Sequence, residues 1–184
     1  METFPEILLQ PNIIKPLHGL NPRTIFGQKW WDYERQIAYA STDYKCLACG
    51  VDKNDAEFHQ WLEAHEDYRI DFKRFRYELK RIIPLCHACH NFIHDGRLKI
   101  LWNTGKISPE KYMRITGRGE KILSDSGLPQ RNNAWWADPE YYPQLFPEKV
   151  GTWNKWHLLI DGKEYYSKFD DYDAWAEFYG RKKW

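Results

Sequence analysis

The absences in this 184-residue chain narrow its function before any motif is read. No charge sign dominates: 27 lysines and arginines stand against 26 aspartates and glutamates, a formal net charge of +1. So balanced a chain has no global attraction to a polyanion, and any nucleic-acid binding has to come from local basic patches. Apolar runs are short, and none approaches the ~20 residues of a membrane helix. The opening Met1-Glu2-Thr3-Phe4-Pro5 has no basic stretch ahead of an apolar one, so no secretory signal is expected and the expected compartment is the cytoplasm. Internal repeats and low-complexity tracts are missing too. Cysteine is absent everywhere except in two C-x-x-C pairs, Cys46/Cys49 and Cys86/Cys89. In a reducing compartment such pairs read as metal ligands rather than a disulfide framework.

What is present supports a folded core: 42% of residues are apolar and 17% aromatic, with ten tryptophans. Prolines 5, 11, 16 and 22 punctuate residues 1–29, which read as an extended arm lying on the rest through Ile7, Leu8, Leu9, Ile13 and Ile14. Residues 30–40 carry a helical pattern, 55–59 a short helical turn, 61–64 a short strand, and 69–83 a loop followed by a strand closed by Pro84. A helix is expected over 87–94, broken by Asp95-Gly96, with another piece over 97–102. Ser108-Pro109-Glu110 is a helix start, with cap, first-turn proline and acid in order, and predicts a helix to about Ser124. Residues 127–152, with four prolines beside Trp135-Trp136 and Tyr141-Tyr142, read as an aromatic linker. Beyond them, residues 156–160 and 164–169 flank the turn Asp161-Gly162, and Asp170 or Asp171 caps a closing helix. The expected organisation is therefore α+β: an arm (1–29), a zinc-stabilised domain with flanking helices (30–126), a linker (127–152) and a small ββα unit (153–184).

The chemistry concentrates in the second of these. Cys46, Cys49, Cys86 and Cys89 supply four thiolates, enough to close a tetrahedral structural Zn2+ site. That ion would pin the first knuckle to the start of the helix at His87, giving the order knuckle, strand, strand, knuckle, helix. On that helix His87, His90 and His94 fall at i, i+3 and i+7, one stripe of its surface. His90 and His94 can chelate one divalent ion, with His65 from the facing strand as a third ligand. Three protein ligands and an open position are the arrangement of a catalytic metal.

The runs Leu62-Glu63-Ala64-His65-Glu66 and Pro84-Leu85-Cys86-His87-Ala88-Cys89-His90-Asn91-Phe92-Ile93-His94 resemble the HNH (ββα-metal) endonucleases of the subtype with four zinc-binding cysteines. The likeness covers about residues 44–96. Residues 30–36 are also similar to what precedes the first knuckle in some bacterial and phage members. The resemblance implies a ββα-metal core that hydrolyses DNA, with Mg2+ or another divalent ion held by His90 and His94. It also implies a histidine base at the end of the first strand. That strand usually ends in Asp-His or His-His, ligand then base; here the pair is either Ala64-His65, making His65 the base, or His65-Glu66, making His65 a ligand and Glu66 the base. The first register is favoured, because a carboxyl with an ordinary pKa of about 4.3 is a weak base near neutrality. The family's central asparagine is missing near Arg81, and Asn91 is the candidate for a ligand or orienting role.

Lys73, Arg74, Arg76, Lys80 and Arg81, interleaved with Phe72, Phe75 and Tyr77, form the candidate phosphate-binding segment. Lys111, Arg114, Arg118 and Lys121 line one face of the 108–124 helix and read as a solvated face or a second phosphate contact. The tail aromatics Trp153, Trp156, Tyr165, Tyr166 and Trp175 read first as a small core and second as a face for a protein partner. The expected partner is DNA, with RNA as the alternative polymer, and no membrane. The rival expectation is a zinc-stabilised module that binds nucleic acid or protein without catalysis, as a subunit of a phage or defence complex.

Overall fold

Proline placement shapes the opening residues. A computed structural model of the chain, describing residues 2–131 and 146–180, places Pro5, Pro16 and Pro22 in the first turns of short helical pieces. These are 3-10 turns at Pro5–Leu9 and Lys15–Leu17 and helix α1 at Pro22–Phe26. The expected arm is thus locally helical, because a first-turn proline loses no hydrogen bond and arrives with its φ already set. Asn21 caps α1 by accepting from Thr24 N at 2.9 Å, and Thr24 Oγ1 accepts from Asn21 N at 3.1 Å.

Among the described residues the fold is mixed α+β, with seven α-helices and one sheet in the order β1-β2-β3-β4. Helix α2 (Gln28–Ser41) leads to the first cysteine knuckle, and strands β1 (Leu62–Asp71) and β2 (Arg76–Cys86) follow. Strand β1 is much longer than the sequence predicts. Its far half is held by cross-strand partners, Tyr68 against Tyr77 with ring centroids 5.7 Å apart and Arg69 to Glu78 at 2.5 Å. Strand β2 also runs through Pro84 rather than stopping there. Its pairing with β3 is confined to Arg76–Glu78, so the missing N–H of Pro84 removes no bond from that ladder. Helix α3 (His87–Ile93) comes next, then α4 (Asp95–Asn103) and α5 (Pro109–Asp125). The break between α3 and α4 is His94 alone, one residue before the expected Asp95-Gly96. The turn expected at 55–59 is a 3-10 turn at Lys53–Asp55. Ser108 caps α5 as predicted, accepting from Lys111 N at 3.1 Å.

The chain continues with α6 (Pro147–Val150), β3 (His157–Ile160), β4 (Lys163–Tyr166) and α7 (Tyr172–Gly180). Strands β3 and β4 pair antiparallel across Asp161 and Gly162, whose φ values of 49° and 77° suit a tight hairpin turn. Strand β3 also pairs in parallel with β2, Arg76 opposite His157. The centre of the expected linker, residues 132–145 with its aromatic pairs, lies outside the described residues.

The chain divides into two compact units. The first draws on Met1–Asn12, Tyr33–Asp67 and Ile82–Ala134, the second on Ile13–Asp32, Tyr68–Arg81 and Trp135–Trp184. The core of the first includes Leu8, Ile83, Leu85, Ile93, Leu98, Ile115 and Leu123, all fully buried. Each such side chain contributes about 1.5–3 kcal/mol relative to exposure. Here α5 packs on α3 so closely that a Cβ on Gly119 would meet the Phe92 ring at 2.3 Å. The second unit buries Leu17, Tyr77, Leu158 and Ile160 around Trp156, whose ring lies 5.6 Å from Phe75 and 5.7 Å from Tyr77. Trp153 and Trp156 are therefore core residues, whereas Tyr166 is exposed.

Candidate metal centre

The first knuckle is a backbone turn. Gly50 N donates to Cys46 O at 2.8 Å and Cys46 N to Val51 O at 2.9 Å, with Gly50 at a φ of +74° that suits glycine. Leu47 N donates to Pro84 O at 2.9 Å, tying this knuckle to the end of β2, from which Cys86 and then Cys89 on α3 follow. Cys46, Cys49, Cys86 and Cys89 come together with their sulfurs within 4.8 Å of one another. Cys49 and Cys86 sulfurs are 3.9 Å apart, close to the edge of about 3.8 Å that a tetrahedron with Zn–S bonds near 2.3 Å requires. Hydrogen bonding among the sulfurs splits their acidities, pushing Cys46 and Cys89 up and Cys49 and Cys86 down. A bound ion would replace the shared protons and take all four as thiolates. Arg118 reaches Cys49 Sγ at 3.8 Å, which suits an electron-rich sulfur. The donor set fits a structural metal such as zinc.

A second cluster lies in the same unit. Strand β1 contributes His65, and α3 with its cap contributes His90 and His94, one helical turn apart. Their ring centroids are 5.3 Å (His65 to His90), 5.0 Å (His65 to His94) and 4.6 Å (His90 to His94) apart, and one ligand atom from each falls within 4.8 Å of the others. His65 is 3% exposed, and its Nδ1 has no hydrogen-bond partner. Its Nε2 faces Gln10 Nε2 at 3.1 Å, and the same amide donates to Glu66 O at 3.0 Å. Burial, with the charges of His94, His90 and Arg131, holds the His65 pKa well below the usual imidazole value. Burial, with His90, Arg97 and Arg131, brings His94 to about 3. Neutral rings with available lone pairs are what a divalent ion requires.

Arg131 closes this side of the site, although no sequence signal singles it out. It is 3% exposed, and its Nη1 donates to Leu8 O at 2.6 Å and Gln10 O at 2.9 Å while Nη2 donates to Ile93 O at 2.7 Å. A guanidinium at the C-terminal end of α3 satisfies carbonyls that the helix leaves open and meets the negative end of its dipole.

Glu63 is the other residue that sequence reasoning passes over. Alternation along β1 puts Glu63 and His65 on one face and turns Glu66 to the other. Glu63 Oε2 pairs with His90 Nδ1, and Oε1 lies 2.6 Å from His87 Nδ1 and 3.1 Å from His59 Nε2. Burial opposes its ionisation, but hydrogen bonds from His87 and His90 and their charges outweigh that and hold the carboxyl far below its usual range. For Glu66 burial dominates and raises the carboxyl pKa. The period of two along a strand was the signal that could have selected Glu63. His87 separates from His90 and His94 to join His59 and Glu63 in a third cluster. Asn91 turns to His87, its Nδ2 donating to His87 O at 2.9 Å and lying 3.2 Å from His87 Nδ1.

Three of the five basic candidates, Arg74, Arg76 and Lys80, are engaged with acids. Arg74 and Arg76 lie 3.5 and 3.7 Å from Asp71, and Arg76 and Lys80 each lie 3.6 Å from Glu78. With Arg69, Ile70 and Phe72, residues Asp71, Lys73, Arg74 and Arg76 line an open recess of about 510 Å³ in the second unit. On α5, Arg114 and Arg118 both pair with Glu57, and Lys121 with Asp125 at 2.8 Å, so that face is largely neutralised.

Fold and site together define a mixed α+β protein with a four-cysteine site compatible with a structural metal and two further clusters of metal-ligating side chains. Among the described residues no helix is long and apolar enough to cross a membrane. The chain matches no family model, no curated protein and no solved structure.

Proposed function

We propose that this chain is a metal-dependent endonuclease of the HNH type that hydrolyses DNA phosphodiester bonds. The observation that carries the reading is the convergence of His65, from the first strand of a hairpin, with His90 and His94, from the helix after it, beside the four cysteines. An ion bound by these residues would supply Lewis-acid stabilisation of the charge on the phosphate and the leaving 3′ oxygen. Imidazole ligands suit a transition ion better than Mg2+, which prefers oxygen donors. His90 and His94 would hold the ion, and the Glu63 carboxylate on His90 Nδ1 would fix that ring's tautomer and leave Nε2 free to bind it. His65, kept neutral by burial, is the base that accepts a proton from the attacking water; its lone pair is on Nε2, the nitrogen that the Gln10 amide faces at 3.1 Å, because an amide nitrogen only donates. Lys73, Arg74, Arg76, Lys80 and Arg81 are the candidate phosphate contacts, each weakened where Asp71 or Glu78 already balances it.

Nicking of supercoiled plasmid with Mg2+, Mn2+ or Zn2+ tests the reading on wild type, His65→Ala and His90→Ala. Metal-dependent nicking that falls by at least about 100-fold in both variants is expected, the size of a lost general base or metal ligand. His65→Ala should keep its full complement of ions; if it loses one, the ring is a ligand rather than the base. No cleavage by wild type with the cysteine zinc in place would favour a binding module. Cleavage surviving both substitutions would reject the site.

A further inference from the structure

His59, Glu63 and His87 form a cluster that the proposed reaction does not use. Its three ligand atoms make a closed triangle: His59 Nε2 to His87 Nδ1 at 2.7 Å, His87 Nδ1 to Glu63 Oε1 at 2.6 Å, and His59 Nε2 to Glu63 Oε1 at 3.1 Å. Hydrogen bonds alone satisfy such a triangle poorly. Each ring nitrogen carries at most one proton and the ionised carboxylate carries none, so a proton on both rings sets two N–H groups against each other at 2.7 Å. With a proton on only one ring, a single N–H serves two acceptors. Three lone-pair atoms facing one another ask for one shared cation. A tetrahedral ion with bonds near 2.0–2.1 Å would need edges of about 3.3 Å, a small outward relaxation from those seen.

The side chains are also held in place by groups outside the triangle. The ring of His59 stacks on Trp61 at 3.5 Å with 5° between planes. Phe58 takes a φ of +76°, a strained conformation for a bulky residue, and its ring packs against His87 at 5.6 Å. Glu57 is anchored by Arg114 and Arg118. Asn91 Nδ2 stands 3.2 Å from His87 Nδ1 and donates to the His87 carbonyl, fixing the start of α3. The cluster is only partly buried, so an ion can enter, and three protein ligands leave a coordination position open.

We infer that His59, Glu63 and His87 form a second divalent-metal site of the two-imidazole, one-carboxylate type, suited to Zn2+ or a similar transition ion rather than to Mg2+ or Ca2+. Glu63 links it to the histidine triad, one oxygen in the outer site and the other on His90. The inference does not depend on nuclease activity, and its test reads metal, not cleavage. The full chain is saturated with Zn2+, freed of excess, and its zinc counted per chain, with circular dichroism confirming the fold. His59→Gln, which keeps a flat side chain against Trp61, should hold one ion fewer than wild type. His94→Ala, which removes the inner triad, should still hold two ions, one at the cysteines and one at the outer site. An unchanged count in folded His59→Gln, or a single ion in His94→Ala, overturns the site. No cleavage by wild type with these counts intact would reject the nuclease and leave the outer site standing.

Discussion

The pH response of the first unit is set by single side chains. His94 falls from an ordinary 6.5 to about 3, through burial and then the charges of His90, Arg97 and Arg131, and His65 lies well below 6.5 for a similar reason. Both rings are neutral in the fold yet take a proton in the unfolded chain once the pH drops under 6.5. The unfolded state therefore binds more protons, and stability falls as the pH falls. Glu63, whose carboxyl is depressed below its ordinary 4.5, adds loss in the same direction only below that value. In metal-free protein the urea midpoint should decline between pH 6.5 and 4.5 through the histidines and steepen below 4.5. A His65→Gln/His94→Gln double variant should lose most of the upper slope; an unchanged slope would show that other groups set it.

At the scale of elements, the contact between α3 and α5 makes a sharp contrast between two glycines of one helix. Gly→Ala inside a helix ordinarily stabilises by about 0.5–1 kcal/mol. Gly117 has open space around it and should follow that rule. Gly119 should not: its added methyl would lie 2.3 Å from the Phe92 ring, which is 3% exposed and cannot swing away into solvent. Gly119→Ala should destabilise by about 1–3 kcal/mol, the range for forcing volume into a packed core. Denaturant midpoints of the two variants check this, and equal shifts would mean the helices do not pack as described. The same scale explains what β1 conceals from sequence reading. Tyr68 and Arg69 extend the strand only because Tyr77 and Glu78 lie across from them.

For the whole molecule, the four cysteines join distant parts of the chain, Cys46 and Cys49 before the hairpin and Cys86 and Cys89 after it. Removing their ion leaves four clustered sulfurs that cannot all be thiolates, so the fold should be less stable without it. A strong chelator should lower the thermal midpoint, and Cys46→Ser should lower it and hold one zinc fewer per chain than wild type, read by calorimetry and metal analysis. A melting curve indifferent to chelation would separate this cluster from the stability of the fold.

How much of this was legible beforehand follows from the range of each interaction. The C-x-x-C pairs, the Ser108 cap, the Asp161-Gly162 turn and the helix carrying His87, His90 and His94 rest on contacts within a few residues, and the chain specifies them locally. The grouping of the cysteines was readable as well, since four thiolates in two such pairs have few other uses. Long-range pairing decided the rest. Which histidine joins which cluster depends on the facing strand, which draws His87 to His59 and Glu63 and leaves His90 and His94 to His65. Glu63 replaces Glu66 beside the triad because a strand alternates its faces, and Arg131 matters only because folding brings the carbonyls of Leu8, Gln10 and Ile93 to it. The ligand types and their local spacing are legible in the chain itself; tertiary structure decided their partners, since a carboxylate or guanidinium acquires its role from what is buried next to it.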